Sequence, residues 1–531
     1  MDVPAIRLPA SPGSALTPVG SRDRARDDIV DHLGRPALAI SETTPAQAII
    51  DDLLFVRRIL DDARIPFILI RNRGRRPVLA VDHTHAARLQ DALTAGCAGQ
   101  PFFVKARTGT RSGPARRLSG DWLSPSTAVR IYRVFRRRVD PRSGLRYGAS
   151  TALQIELWDF GGEYVDLPAP NILTRTRIPL GQLVPSTTER FGETWPTIEG
   201  MFAPEVSGIG FPIDMVFSWV GESSSALQAA RSERMDGYSV ADDDRSPVRY
   251  RHIDELKYAL RSVHVYAPWI RRIFIATDSE RPSWLADDPR VTLVPSRDFF
   301  RNLDALPTHN SHAVESQLHH IPALAENFIY SNDDMFFGRP VRPSMFFSSG
   351  LVSKFIESDL RIGLGETDEA QSGFENAARV NRQLLLERFG VIITRHLAHA
   401  PTPLRRSVLE RLEQEFPLEF MATAASPFRS RTDISVTNSL YHYYALLTGS
   451  AVVQNRAKVT YLNTNLGDDL DAMDELLKKR SHHFICLNDG GDGEVDPEER
   501  TRRITDFLER YFPLPAPWEV ETPAIAMIPG S

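Results

Sequence analysis

The chain has 531 residues, of which 42% are hydrophobic and 25% are charged, a composition typical of a soluble globular protein. Its 63 basic and 68 acidic residues give a net charge of -5, so there is no overall bias toward nucleic acid. The two cysteines, Cys97 and Cys486, exclude a disulfide scaffold and a cysteine-cluster metal site. At roughly 100–200 residues per domain, the length corresponds to about two to four folded units.

The sequence contains no apolar stretch of about 18 residues, the length that a transmembrane helix requires. The first twenty residues also lack a basic segment followed by an uninterrupted apolar one, the pattern of a secretory signal peptide. We therefore expect a cytoplasmic protein, whose only membrane contact would be peripheral, at the inner face.

Composition and periodicity predict four regions. Residues 1–44 are rich in proline, serine and scattered charges, which favours a disordered segment. An amphipathic helix followed by short β-like runs predicts a small α+β domain over 45–195. Strands alternating with helices, then a mainly helical part, predict an α/β domain with parallel βαβ units over 208–515. A tail is expected over 516–531.

The predicted elements can be given in chain order. In the first domain, strands are predicted at 67–70, 78–81, 101–104, 129–135 and 153–158. In the second, strands are predicted at 213–220, 272–277, 291–294, 328–331, 458–462 and 484–487. Its helices are predicted at 253–270, 311–320, 374–388, 403–415, 434–447, 468–480 and 499–511.

One segment of the first domain is strongly basic. Residues 101–150 contain twelve Lys or Arg against two Asp, including the run Arg136, Arg137 and Arg138. One interpretation is a solvated, arginine-rich sheet edge. The other is a surface that faces an acidic polysaccharide or anionic lipid headgroups.

Asn332, Asp333 and Asp334 directly follow a predicted strand of the second domain. Ligands of α/β sheets gather at the carboxyl ends of strands, and paired carboxylates suit Mg²⁺ or Mn²⁺. The alternative is a loop in which the Asp side chains cap the backbone. The apolar surroundings, FIYSNDDMFFG, favour the metal, because a cation offsets the cost of burying two carboxylates.

Histidines provide candidates for a general base. His312, Glu315 and His319 follow each other at three- and four-residue spacing, which predicts one helix face. An imidazole can remove a proton from a sugar hydroxyl near neutral pH. The alternative is a capped helix start with partly buried, hydrogen-bonded histidines. His396 and His399, in TRHLAHAP, raise the same question.

Three arginines in unlike contexts, Arg379, Arg431 and Arg480, are candidates for phosphate recognition, because guanidinium groups bind phosphate in a bidentate manner. In a chain this rich in arginine, the interpretation favoured for any single one is a surface residue. The sequence has no GxxxxGK[ST], which argues against a P-loop kinase.

Several blocks of the sequence together resemble the Stealth family of sugar-1-phosphate transferases, over about 210–515. The blocks are IDMVFSWV (213–220), DELKYALRSVHVYAPWIRRIFIATDSERPSWL (254–285), LPTHNSHAVESQLHHIPALAENFIYSNDDMFFGRPV (306–341), FGVIITRHLAHAPTPLRRSVLERLEQEF (389–416) and HHFICLND (482–489). The N-terminal extension and overall size are similar to those of actinobacterial exopolysaccharide phosphotransferases.

The resemblance implies a glycosyltransferase-like (GT-A-like) mixed sheet with a helical C-terminal part. It implies transfer of a hexose 1-phosphate from a UDP-sugar to a hydroxyl of a polysaccharide or lipid-linked acceptor, with release of UMP and with Mg²⁺ or Mn²⁺ as cofactor. Two alternatives stay open. One is a metal-dependent glycosyltransferase that releases UDP, and the other is a non-catalytic polysaccharide-binding relative.

The resemblance also implies roles for individual residues. His399 is the first choice for the acid/base, and His312 is the competing candidate. Arg379 corresponds to the family arginine that precedes Phe389-Gly390 by ten residues, and Asp334 is placed with the catalytic residues. Substrate binding is assigned to Asp214 at the nucleotide, and to Asn332, Asp333, Arg431 and Arg480. Metal binding is assigned to Asp333 and Asp334.

Overall fold

Tertiary contacts divide the chain into two units, Met1–Pro204 and Glu205–Ser531. The structure is a computed structural model, and it describes residues 28–40, 42–72, 74, 76–124, 126, 128–221, 253–489 and 495–520. Residues 1–27 of the predicted disordered segment and residues 521–531 of the predicted tail lie outside the described residues.

The N-terminal unit packs two helices, Pro45–Asp62 and Ala86–Gly96, on one face of a mixed sheet. Thr44 and Gln47 form a capping box that starts the first helix, which buries Leu53 and Leu60. The main path of the sheet runs through Arg177–Pro179, Tyr164–Asp166, Leu153–Phe160, Ile131–Arg136, Phe102–Thr108 and Arg111–Ser112. The strands Phe67–Ile70, Val78–Asp82 and Arg116–Arg117 join it from the side. A hairpin is formed by Pro185–Arg190 and Glu193–Ile198.

The segment predicted to be disordered over 1–44 contains two strands, Ile29–Asp31 and Pro36–Ala39. They pair with each other, and Pro36–Ala39 pairs in parallel with Arg138–Val139. Arg146–Tyr147 completes this four-stranded sheet. The order comes from pairing with residues about a hundred positions away, which local composition does not report.

The basic run also differs from the prediction. Asp52, fully buried in the first helix, accepts hydrogen bonds from Arg136 Nε at 2.6 Å and Arg138 Nη2 at 2.8 Å. Two of the three adjacent arginines therefore share one buried carboxylate inside the unit. The basic side chains on the other face of the sheet include Lys105, which is aligned with Arg133 on the next strand, and Arg107.

The C-terminal unit is built on a five-stranded mixed sheet, here called the central sheet. Its strand order is Val291–Val294, Ile273–Ala276, Ile213–Ser218, Asn327–Asn332 and Thr402–Arg405. The first four strands are parallel, and the last is antiparallel to its neighbour. Continuous apolar runs form the inner strands because helices and loops cover both faces. The α/β prediction is confirmed.

A smaller sheet, here called the second sheet, follows the central sheet. Met335–Phe337 pairs with Phe484–Asn488, which pairs in parallel with Val459–Asn463. Two further strand pairs are Ser353–Phe355 with Ala451–Val453, and Glu357–Arg361 with Arg395–Leu397. The α-helices are Glu255–Tyr266, Ser311–Gln317, Gly373–Phe389, Arg406–Glu415, Pro417–Ala425, Tyr441–Leu447, Gly467–Lys479 and Pro497–Tyr511, and Val436–Leu440 is a π-helix. Among the described helices, none has both the length and the apolar character needed to cross a bilayer.

Two further differences concern element ends. The helix predicted over 311–320 stops at Gln317 and continues as a 3₁₀ turn, Leu318–His320. The predicted tail begins as packed structure: Trp518 is buried, and Glu519 accepts two hydrogen bonds of 2.7 Å from Arg261.

Candidate active site

The carboxyl ends of two central strands carry a hydrogen-bonded group around Asn332. Asn332 ends its strand and is aligned with Ser218 on the neighbouring strand. Tyr330 Oη donates to Asn332 Oδ1 at 2.8 Å and lies 2.7 Å from Ser218 Oγ. Burial, together with the nearby Glu315 carboxylate, raises the pKa of Tyr330 well above its usual value. The phenol therefore stays protonated and holds the Asn332 amide in place.

The π-helix Val436–Leu440 contacts this group through a side-chain hydrogen bond. Thr437 Oγ1 donates to Glu315 Oε2 at 2.5 Å, and Glu315 Oε1 lies 3.3 Å from Tyr330 Oη. His442 Nε2 in turn lies 3.0 Å from the Thr437 carbonyl oxygen. A chain of buried hydrogen bonds thus leads from His442 to the strand end, and π-helices occur frequently at functional sites.

Asp333 and Asp334 follow Asn332 and are half-buried. Burial and the charges of Asp334 and Glu255 raise the pKa of Asp333 well above its usual value. Burial, opposed by a hydrogen bond from Cys486 and supported by nearby carboxylates, raises the pKa of Asp334 to about 7. Asp334 Oδ1 is buried without a hydrogen-bond partner in the part of the chain that the structure describes, while Oδ2 lies 3.5 Å from Cys486 Sγ. This unpartnered oxygen, in a group of mutually repelling carboxylates, fits a divalent cation.

Asp333 and Asp334 fit a cation that takes its remaining ligands from water or from the substrate. Among the described residues, no third carboxylate, histidine or cysteine completes a compact three-ligand set with Asp333 and Asp334. Mg²⁺ is commonly held in this way, by one or two carboxylates together with substrate phosphates.

A second group is centred on Arg379, whose side chain is only 9% exposed. Glu375 Oε2 lies 3.8 Å from Arg379 Nη1, and Glu375 Oε1 lies 3.4 Å from His396 Nε2. Phe374 stacks on the His396 ring with the centroids 4.6 Å apart. Within the described ranges, Nε and Nη1 of Arg379 have no hydrogen-bond partner. A Cβ at Gly363 would collide with the guanidinium, so a larger residue there would displace Arg379 from this position.

His399 joins this group through aromatic contacts. Its ring centroid lies 6.2 Å from that of Phe374 and 4.7 Å from that of Tyr461. Burial and the nearby His396 lower the pKa of His399 below its ordinary value. The imidazole is therefore neutral near pH 7 and can accept a proton.

The second sheet contacts both groups. Tyr461, which faces His399, is aligned with Cys486 on the neighbouring strand, and Cys486 contacts Asp334. The structure thus brings Arg379 into the same group as His399, and it places Asn332, Asp333 and Asp334 at the strand end, as the sequence predicts.

Asp214 is placed differently from the expectation that it binds the nucleotide. It is fully buried at the amino end of its strand, whereas Ser218 and Asn332 lie at the carboxyl end. Its carboxylate accepts hydrogen bonds from Arg271 Nε at 2.8 Å, Arg271 Nη2 at 2.6 Å and the Ala325 N–H at 2.8 Å. These contacts form a structural ion pair, and Asp214 is not part of the candidate site.

Arg480 and Arg431 also differ from their predicted roles. Arg480 Nη1 donates to the Tyr511 carbonyl at 2.7 Å, and its guanidinium lies 4.4 Å from the Tyr511 ring centroid. It therefore caps the end of a helix. Arg431 is exposed and lies 3.5 Å from Glu369 in a surface ion pair.

His312 stands in a group separate from His399. Its side chain is 2% exposed, and its Nδ1 lies 3.6 Å from Asp433 Oδ2. That oxygen accepts a hydrogen bond from Asn310. The expected common face of His312, Glu315 and His319 is wrong, because the 3₁₀ turn directs His319 to Glu413.

Sequence reasoning missed several residues of these groups. Glu375 lies four positions before Arg379 on one helix, so helical spacing could have found it. Phe374 and Tyr461 carry no sequence signal of their own. Arg429, two positions before Arg431, donates to Ser311 Oγ at 2.9 Å, at the start of the helix that carries His312.

Comparison with known proteins gives matches over most of the chain. Three family models match: Stealth protein CR2, conserved region 2, over residues 249–355; CR3, conserved region 3, over 398–446; and CR4, conserved region 4, over 474–525. The exopolysaccharide phosphotransferase CpsY of Mycobacterium tuberculosis is 52% identical over 491 residues, which cover 92% of each chain. An exopolysaccharide phosphotransferase of Nocardia farcinica is 48% identical over 97% of this chain and 95% of that protein.

Among solved structures, the galactosyltransferase LgtC, in complex with donor and acceptor sugar analogues, matches 57% of this chain and 96% of its own. The identity is 12% and the TM-score is 0.28, a value too low to establish a shared fold.

Proposed function

Since the chain belongs to the Stealth family and is a transferase of phosphorus-containing groups, we propose that it moves a hexose 1-phosphate from a UDP-sugar to a sugar hydroxyl. The hydroxyl oxygen attacks the phosphorus that carries the sugar. The bond between that phosphorus and the bridging oxygen breaks, and UMP leaves with this oxygen. The acceptor is a polysaccharide or a lipid-linked sugar.

The observation that carries this proposal is the state of Arg379. Among the described residues, Nε and Nη1 of this buried guanidinium have no hydrogen-bond partner, and the Glu375 carboxylate is 3.8 Å from Nη1, too far for a hydrogen bond. Such donors are costly to bury unless an anion accepts from them. Arginine binds phosphate oxygens in a bidentate manner, and Gly363 leaves the space for this guanidinium. We assign the transferred phosphoryl group to this position.

His399 is proposed as the general base. Its neutral imidazole belongs to the same group as Arg379, and the acceptor hydroxyl must lose a proton as it attacks. Tyr461 and Phe374 fix the plane of the ring through aromatic contacts. His312 is the competing candidate, but its burial beside Asp433 favours a structural role.

Asp333 and Asp334 are proposed to hold Mg²⁺ or Mn²⁺. When bound, such a cation neutralises diphosphate charge and so favours departure of UMP. Asn332, held by Tyr330, is proposed to orient the donor through its amide group.

The N-terminal unit is proposed to help retain an anionic acceptor at the inner face of the membrane. Burial and the neighbouring Arg107 lower the pKa of Arg133. Lys105 and Arg133 are directly opposite on adjacent strands, a like-charge pairing that is unfavourable without an anion. This surface would suit an acidic polysaccharide.

The deciding experiment identifies the released nucleotide. The purified protein is incubated with Mg²⁺, an acceptor glycan and a panel of UDP-hexoses, and UMP and UDP are quantified by chromatography. UMP together with a sugar phosphodiester supports the proposal. UDP would instead indicate a metal-dependent glycosyltransferase, and no turnover with any donor would favour a non-catalytic polysaccharide-binding protein.

Two arginine variants serve as a matched pair in this assay. Arg379→Gln should abolish UMP release, because the phosphate-binding donors are lost. Arg431→Gln should keep the activity, because Arg431 lies in an exposed surface pair. Equal activity of the two variants would contradict the assignment of Arg379.

A further inference from the structure

We propose that His319, His320 and Glu413 form a binding site for Zn²⁺ or a similar transition-metal ion, separate from the carboxylates at the strand end. His319 Nε2 lies 3.0 Å from Glu413 Oε2, and His320 Nε2 lies 3.2 Å from the same oxygen. The ligand atoms of the three residues all lie within 4.8 Å of one another.

The spacing agrees with zinc coordination. Zinc bonds to imidazole nitrogen and carboxylate oxygen are about 2.0–2.1 Å long, so neighbouring ligand atoms of a tetrahedral site are about 3.3 Å apart. The two nitrogen–oxygen distances are close to that value. Two imidazoles with one carboxylate are a donor set for zinc, whereas the all-oxygen groups at the strand end suit Mg²⁺ or Mn²⁺.

Glu413 also has a cationic neighbour, which a bound metal ion would have to displace. Arg301 Nη2 lies 3.4 Å from Glu413 Oε2, and its side chain is 68% exposed, so it can turn away into solvent.

The cleft that borders Glu413 leaves room for a fourth ligand. A cleft of about 460 Å³ is lined by Glu413, Arg301 and Gln317 together with apolar residues of the helix Pro417–Ala425. Three protein ligands beside an open cleft leave the fourth position to water. The cation would tie the 3₁₀ turn before the strand Asn327–Asn332 to the helix Arg406–Glu415.

The competing arrangement is a hydrogen-bonded trio without metal, in which both Nε2–H groups donate to Glu413. Nδ1 of His319 and of His320 has no hydrogen-bond partner among the described residues in either arrangement, because Nε2 is the atom that binds zinc or Glu413. The two arrangements differ in whether zinc is held.

Metal content separates them. Untagged full-length protein is stripped with chelator, loaded with ZnCl₂, desalted and analysed by elemental mass spectrometry, and a parallel sample is loaded with Co²⁺ and examined by visible absorption. We expect one zinc per chain and the spectrum of tetrahedral Co²⁺. Wild-type protein that retains no zinc after desalting would overturn the proposal.

Four variants locate the zinc. His320→Ala and Glu413→Gln should lose it, whereas Glu410→Gln, which removes another carboxylate of the same cleft, should keep it. Asp334→Asn should also keep it, because that residue belongs to the other metal site. Glu413→Gln is nearly isosteric, so its result decides the matter if His320→Ala does not fold. Zinc retained by Glu413→Gln would overturn the proposal.

Discussion

His442 offers a quantitative test of the packing beneath the candidate site. The side chain is fully buried, lies against Phe355 and Tyr441, and has Nε2 3.0 Å from the Thr437 carbonyl oxygen. Burial lowers its pKa to about 3. The perturbation is His442→Gln, which keeps an N–H donor for that carbonyl but cannot titrate in this range.

The expected effect follows from proton linkage. In the unfolded chain the histidine pKa is about 6.5. Below that pH the unfolded state therefore binds a proton, whereas His442 in the folded state stays unprotonated. The wild-type protein therefore loses about 1.4 kcal/mol of unfolding free energy per pH unit from about 6.5 downward, and the loss levels off near the folded pKa. At pH 5 the loss that His442 causes is about 2 kcal/mol.

Hydrogen exchange measured by mass spectrometry on peptides from residues 436–447 reports the opening free energy of this segment. The decrease between pH 7 and pH 5 should be about 2 kcal/mol smaller in His442→Gln than in the wild type. Any general destabilisation by the substitution cancels, because each protein is compared with itself. Equal decreases in the two proteins would refute the buried, neutral state of His442.

His399→Ala should lower kcat about 10²- to 10⁴-fold with little change in donor affinity. Because burial lowers the pKa of His399, the fall of wild-type kcat/KM at acid pH should have its midpoint below about pH 6.5. A midpoint above that pH would contradict the base assignment. Asp334→Asn should keep the circular dichroism spectrum and lose most Mg²⁺- or Mn²⁺-dependent turnover, and full wild-type turnover in excess chelator would exclude the metal. Asp52→Ala should destabilise the N-terminal unit by about 3–5 kcal/mol in urea unfolding, since it leaves buried guanidinium groups unpaired, and an unchanged midpoint would count against this. Replacing Lys105 and Arg107 with Gln should raise KM for an anionic acceptor at low salt and make KM less dependent on salt concentration. Unchanged kinetics would indicate that these residues form a solvated surface without a role in acceptor binding.

The sequence predicts the central sheet well because its inner strands consist mainly of consecutive apolar residues. The strand Val291–Val294 has the predicted bounds, and Ile273–Ala276 differs by one residue at each end. Since the carboxyl end of a strand is known once the strand is known, the position of Asn332 at the ligand-binding edge also follows from sequence.

The same rule argues against Asp214, because a residue that opens a strand lies at the opposite edge. Other misplacements could not be foreseen. Arg136 meets Asp52 across 84 positions of sequence, and Arg480 meets Tyr511 across 31. An arginine's role depends on which carboxylate or carbonyl the tertiary fold brings to it, and periodicity contains no record of that partner.

The ion pair between Arg261 and Glu519 has a consequence for biosynthesis, since its members are 258 positions apart. Arg261 lies on the helix Glu255–Tyr266, and Glu255, at the start of that helix, contributes to the field at Asp333. During translation, this helix leaves the ribosome long before its partner is made. The ion pair that ties this helix to the end of the described chain can therefore form only after Glu519 has emerged.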